Sequence, residues 1–249
     1  MGKRIIQQRR GRAGPPYKSP SHRFTDEAKH IPLESFKEGG IMQVLDFVHD
    51  SAHTSPLVVL LTEQFERKYQ LAPTGLKIGD ILEYGESASV SVGNTLALRK
   101  IPEGTVIHNV ETVPGDGGKL VRTSGTSAFV VTHDHIKKKT IVRLPSKTKM
   151  ALSFDCRATV GVLSGSGRKE KPFVKAGAKS KAKEAKNKLY PRTSAVAMNA
   201  IDHPFGGSAK PGRSTSSGRH ASPGAKVGKL WPRRTGVRKT KKVIKENIS

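Results

Sequence analysis

The chain has 249 residues, of which 35% are apolar and 5% aromatic, which is thin for a protein packed throughout, and 45 Lys and Arg against 20 Asp and Glu leave a formal charge of +25. Self-repulsion on that scale calls for a neutralising polyanion, and RNA or DNA is the usual one; composition alone does not choose between them. No apolar run reaches the roughly 18 residues of a membrane span, and Met1 to Arg10 is basic without the apolar stretch of a signal peptide, so a soluble, intracellular protein without membrane contact is expected.

Gly2 does not begin a myristoylation motif, because Ile6 stands where Ser or Thr is required. The single cysteine, Cys156, has no disulfide partner and no cluster for zinc; set in an alternating apolar stretch, it reads as a buried thiol.

The excess charge sits at the ends. Residues 1–36 hold 8 Lys and Arg against 3 acids, residues 37–163 hold 15 against 13, and residues 164–249 hold 22 against 4. The first segment contains Arg9-Arg10-Gly11-Arg12-Ala13-Gly14-Pro15-Pro16, whose glycines and prolines favour neither helix nor strand. It reads as an extended basic arm, with an ordinary disordered terminus as the alternative.

From Gly40 the pattern changes to short β-branched runs, Ile41 to Val48, Pro56 to Thr62, Phe65 to Ala72 and Asp80 to Tyr84, separated by Gly75, Gly79 and Gly85. This spacing predicts a small antiparallel barrel or sandwich over residues 37–86. A second set predicts another barrel over 87–163, with strands Thr95 to Leu98, Thr105 to Glu111, Ala128 to Asp134, Thr140 to Leu144, Lys149 to Phe154 and Ala158 to Leu163. Beyond Leu163 Gly, Ser, Pro, Lys and Arg take over, and no core is expected over 164–249. Ala176 to Leu189 is Ala- and Lys-rich enough for a helix that only RNA contact would stabilise.

Three motifs invite a chemical reading. Val113-Pro114-Gly115-Asp116-Gly117-Gly118-Lys119 lacks the first glycine and the final Ser or Thr of a phosphate-binding P-loop; a turn whose exposed amides and Lys119 meet an RNA phosphate fits better. His133 and His135 share one strand face but lack a third zinc ligand. Asp202 beside His203 has the look of a general-base pair, yet catalysis needs a rigid supporting shell and the tail offers none of its own.

The segment Met198-Asn199-Ala200-Ile201-Asp202-His203-Pro204-Phe205-Gly206-Gly207 resembles the hallmark of the universal large-subunit ribosomal protein number two family. Pro114 to Lys119, Arg157-Ala158-Thr159-Val160-Gly161-Val162, Lys171-Pro172-Phe173-Val174-Lys175-Ala176-Gly177 and Arg9 to Arg12 resemble it too, so the likeness runs nearly end to end. The short first barrel, the Lys171 to Gly177 segment and Phe205 resemble the archaeal or eukaryotic form rather than the bacterial one, and the archaeal form is preferred. The resemblance implies a mainly β fold: an OB-type barrel at about 37–86, then an SH3-like barrel at about 87–163, between long basic non-globular N- and C-terminal extensions.

It further implies a non-enzymatic cytoplasmic protein of the large ribosomal subunit that contacts large-subunit rRNA, with a tail towards the peptidyl-transferase region and a part in subunit association and tRNA binding. Its partners would be that rRNA, neighbouring ribosomal proteins, the small subunit at a bridge and, indirectly, tRNA. No cofactor or metal of its own is implied, magnesium ions being held by the surrounding rRNA. By this resemblance His203 matches the family's histidine of functional interest.

The residues expected to meet RNA are Arg4, Arg9, Arg10, Arg12 and Arg23 in the first arm and Lys119 and Arg122 at the glycine-rich turn. Along the tail they are Arg168, Lys171, Lys175, Lys179, Arg192, Asn199, His203, Gly206, Gly207, Arg213, Arg219, Lys229, Arg233, Arg234 and Arg238. The scarcity of aromatics disfavours a base-stacking platform and favours backbone and shape recognition. The rival readings are a DNA-compacting protein and a hydrolase using Asp202 and His203.

Overall fold

The computed structural model describes residues 2–168, 170–207 and 215–230. They fall into two compact units, one formed by Ser19–Lys186 and the other by the described parts of Met1–Lys18 and Asn187–Ser249. Helices α1 (Ile6–Gly11) and α2 (Leu33–Glu38) precede strands β1 (Gly40–Val48), β2 (Leu57–Thr62), β3 (Arg67–Leu71) and β4 (Ile81–Tyr84). Next come β5 (Thr95–Ala97), β6 (Val106–His108), β7 (Ala128–Asp134), β8 (Lys139–Arg143), β9 (Lys149–Ser153), β10 (Arg157–Val160), helix α3 (Ala176–Glu184), and the short strands β11 (Ser216–Ser217) and β12 (Lys229–Leu230).

In the larger unit ten strands hydrogen-bond in the order β3-β2-β1-β4-β5-β10-β6-β7-β8-β9. Neighbours are antiparallel except at β4 and β5, where Tyr84 meets Thr95 in parallel and joins the first strand set to the second. The fold is mainly β, as the alternation predicts. Because successive side chains of a strand face opposite ways, Leu96 enters one core, with Ile107, Val130, Val142 and Ala158, while Ala97 enters another, with Met42, Val44, Leu60 and Leu82. Burial of each large aliphatic side chain contributes about 1.5–3 kcal/mol. A third cluster of Ala28, Leu57, Leu71 and Leu163 links the two sets.

Two expectations are corrected. Residues 19–36 are not part of an extended arm, since Ala28, Ile31 and Phe36 are buried against the strands. Their apolar side chains gain more from the core than a solvated arm would from freedom.

The tail also packs. In the smaller unit Ile5, His203 and Val227 are buried and β11 pairs with β12 in parallel. Glycine makes this possible where large apolar residues are few: a Cβ at Gly206 would lie 2.2 Å from the Asn199 carbonyl oxygen, and one at Gly228 would lie 2.1 Å from that of Thr215. Helix α3 keeps the expected start at Ala176 and ends at Glu184, short of Leu189, with no buried side chain.

Candidate nucleic-acid interface

The glycine-rich turn does not have the form expected of a phosphate cradle, because its amides are already used. Gly117 and Gly115 donate to the Glu111 carboxylate at 3.0 and 3.3 Å. Gly118 donates to Asp116 Oδ1 at 3.1 Å, and Thr112 and Val113 donate to its Oδ2 at 3.1 and 3.2 Å. Burial alone would raise the Asp116 carboxyl, but these amides and the Thr112 hydroxyl hold it down at about 2. A turn filled by its own carboxylates repels a phosphate. Lys119, exposed and 3.5 Å from Asp116, is the part left facing outward.

Beneath the turn lies a fully buried ion pair. Arg157 donates from Nε and Nη2 to Glu111 Oε1 at 3.0 and 2.5 Å, and its backbone amide donates to Oε2 at 2.9 Å. Its Nη1 donates to the Ile31 carbonyl, and the guanidinium stacks 5.1 Å from the centre of the Phe36 ring. Burial would raise the Glu111 carboxyl; the bonds and charge of Arg157 keep it below the usual carboxylate range.

The same segment is held at two further points. His30 Nε2 donates to the Asn109 carbonyl at 2.6 Å. Arg122, expected to face RNA, donates to the carbonyls of Gly118 and Ala28, each at 2.7 Å. Arg122 is thus a clamp on residues 28–31, and its half-buried guanidinium is turned inward.

The tail segment Met198 to Gly207 forms a tight loop. Asp202 and His203 both donate backbone N–H groups to Asn199 O, Gly206 donates to His203 O, and Gly207 returns to Met198 O at 3.0 Å. His203 is 7% exposed, and its Nδ1 accepts the Phe205 N–H at 3.1 Å. An accepting Nδ1 carries no proton, so the ring's hydrogen sits on Nε2. Asp202 is not the histidine's partner: it lies 3.7 Å from Lys3. The general-base pair suggested by adjacency is not formed.

Of the other expected residues, Arg4, Arg9, Arg10, Arg12, Arg23, Arg168, Lys171, Lys175, Lys179, Arg192, Asn199, Gly207, Arg219 and Lys229 are exposed, and Gly206 is buried. Arg213, Arg233, Arg234 and Arg238 lie outside the described residues. The sequence reading missed one basic surface, on β7 to β9. Lys137, Lys138 and Lys139 crown the β7–β8 hairpin beside Ile136, which is 95% exposed. Arg143 stands opposite Lys149 across β8 and β9 and 5.3 Å from the Phe129 ring centre. Like charges directly opposite on a sheet destabilise it, so this pairing points to an anionic partner. The Lys137-Lys138-Lys139 run was the available signal.

His133 is structural: Nδ1 meets Thr140 Oγ1 at 3.0 Å, Nε2 meets the Ile101 carbonyl at 2.8 Å, and Phe154 packs edge-on against it. Among the described residues no group of three His, Cys, Asp or Glu is placed to hold a metal. Cys156 is buried, as expected, and burial pushes its thiol up to about 11.

Fold and surface together define a mainly β protein with a strongly cationic exterior, of the kind built to sit against a polyanion. Residues 91–226 match the family model described as Ribosomal Proteins L2, C-terminal domain. The chain is 49% identical over 243 residues to the large ribosomal subunit protein uL2 of Methanothermobacter thermautotrophicus, covering 96% of this chain and 100% of that one. With the uL2 protein of Methanocaldococcus jannaschii it shares 48% over 246 residues, again 96% of this chain and 100% of the relative. The chain belongs to the ribosomal protein L2 family, whose members are structural ribosomal proteins and not enzymes.

Proposed function

We propose that this protein is a structural constituent of the large ribosomal subunit, working in the cytoplasm by binding large-subunit rRNA. The observation that carries the reading is the near full-length kinship with uL2 proteins, together with the outward placement of the basic side chains of both terminal segments. Lys and Arg neutralise phosphates while glycines let the backbone come close. The Met198 to Gly207 loop is the part assigned to the peptidyl-transferase region, with tRNA binding following indirectly from the RNA it orders. Neighbouring ribosomal proteins complete the surroundings.

The test is sedimentation of a cell lysate through a sucrose gradient after a high-salt wash, with each fraction probed for the protein. Retention with the large subunit is expected; release to the top fractions would sink the reading in favour of a peripheral or DNA-binding protein. Binding of the purified protein to large-subunit rRNA should weaken steeply with salt. With roughly ten phosphates engaged, the log-log slope is about −7 to −9, and a slope near zero would contradict a phosphate-driven interface.

The basic surface of β7 to β9 is proposed to serve subunit association. Replacing Lys137, Lys138 and Lys139 together by Gln should leave incorporation into large subunits intact and weaken their pairing with small subunits at low magnesium. Light scattering of the subunit mixture reads this directly. Association equal to wild type would remove the hairpin from that role.

A further inference from the structure

The smaller unit contains a cavity of about 290 Å³ that neither terminal segment could form alone, lined by Lys3, Arg4, Ile5 and Gln8 from one and by Ile201 and His203 from the other. Lys3 N–H donates to the Ile201 carbonyl at 2.7 Å, so the two segments are joined at its rim.

The polar side chains that line this space, Lys3, Arg4, Gln8 and His203, all offer donors to it. His203 is 7% exposed, its Nδ1 is occupied by the Phe205 N–H, and no described residue accepts its Nε2–H. Gln8 uses its side-chain oxygen to accept the Ile5 N–H at 3.2 Å, which leaves its NH₂ as the end without an acceptor among the described residues. Lys3 and Arg4 add cationic donors, with Asp202 engaging Lys3 from one side at 3.7 Å. Ile5 and Ile201 supply an apolar wall. A nucleobase edge mixes donors and acceptors and would leave some of them unmatched here. A phosphate offers only acceptors and negative charge, and its sugar offers an apolar face.

We propose that this cavity receives a single ribose-phosphate of an RNA strand, with His203 Nε2–H donating to a phosphate oxygen and Lys3 and Arg4 neutralising it. His203 then acts as a fixed neutral donor at a site built jointly by residues 3–8 and 201–203. The proposal rests on the rRNA-binding reading above and goes beyond it in naming one phosphate and the atoms that hold it.

Large subunits reconstituted with phosphorothioate-substituted rRNA and the full-length protein allow the test, because a bound phosphate is shielded from iodine cleavage. Wild type should protect a phosphate that His203→Leu and the double variant Lys3→Gln/Arg4→Gln both expose at the same nucleotide. His203→Gln, which keeps an N–H donor at the equivalent position, should retain the protection. Incorporation of each protein is followed by sedimentation: a wild-type protein that fails to enter the subunit defeats the rRNA-binding reading itself. Variants that enter the subunit without changing any protected phosphate, or that expose different nucleotides, overturn the cavity assignment alone. If His203→Leu does not fold, the exposed-side-chain double variant decides the matter.

Discussion

Arg157→Met is expected to lower the unfolding free energy by about 3–5 kcal/mol, the usual cost of leaving a buried charge without its partner. Glu111 and Arg157 are both fully buried. Glu111 would keep three backbone amides as donors, those of Gly115, Gly117 and position 157 itself, but lose the charge of its guanidinium partner. The loss spreads because Arg157 also holds the Ile31 carbonyl and covers Phe36. Residues 28–36 should therefore exchange amide hydrogens faster than the strands do. Arg157→Lys should recover only part of the stability, since one ammonium cannot reproduce a fork that reaches Glu111 and Ile31 together. Urea unfolding of the isolated protein gives the answer. A midpoint unchanged in Arg157→Met would show that the pair is not what fastens this segment.

That pair also marks where sequence reading stops. The strands were legible because alternation is local: β7 runs from Ala128 to Asp134 as predicted, and β9 begins at Lys149 as predicted. The strand expected from Thr105 to Glu111 ends instead at His108. Asn109 turns into the left-handed region at φ 47°, and Glu111 leaves the ladder to meet Arg157. Nothing in the spacing of two residues 46 positions apart announces that contact.

The site was legible as composition and less so as geometry. Arginines on exposed terminal segments were readable, whereas the inward turn of Arg122 depends on carbonyls at Ala28 and Gly118 that only the fold brings near. Lys137 to Lys139 escaped notice for a different reason. Averaging charge over 37–163 gave a near-balanced segment and hid a cluster at one hairpin. Likewise, counting large apolar residues in the tail overlooked that glycine, at Gly206 and Gly228, lets backbone pack on backbone and on the Phe205 ring.

The second large effect concerns acid. His30 and His108 are buried, and burial is the main cause that brings each down to about 4 from its ordinary 6.5. For His30 the Glu111 charge pulls back upward, and Arg157 and His108 push further down. His30 donates from Nε2 to Asn109 O, while its buried Nδ1 has no partner among the described residues, so adding a proton there would place a charge in the core with no described acceptor. In the unfolded chain both rings protonate near 6.5. Between that value and about 4 the unfolded state therefore binds more protons than the folded one, and stability falls as pH falls. The contribution is fully present above pH 6.5. Its loss approaches roughly 1.4 kcal/mol per pH unit for each histidine, before most carboxylates titrate. Asp116, held at about 2, adds its own loss only below about 4. Urea unfolding at pH 7.5, 6, 5 and 4.5 should show this early decline, and His108→Asn should cut its slope by about half, the His30 share remaining, whatever the variant's absolute stability. A profile level down to pH 5 would mean that the folded protein takes up these protons at no cost, and that the segment carrying His30 opens to admit them.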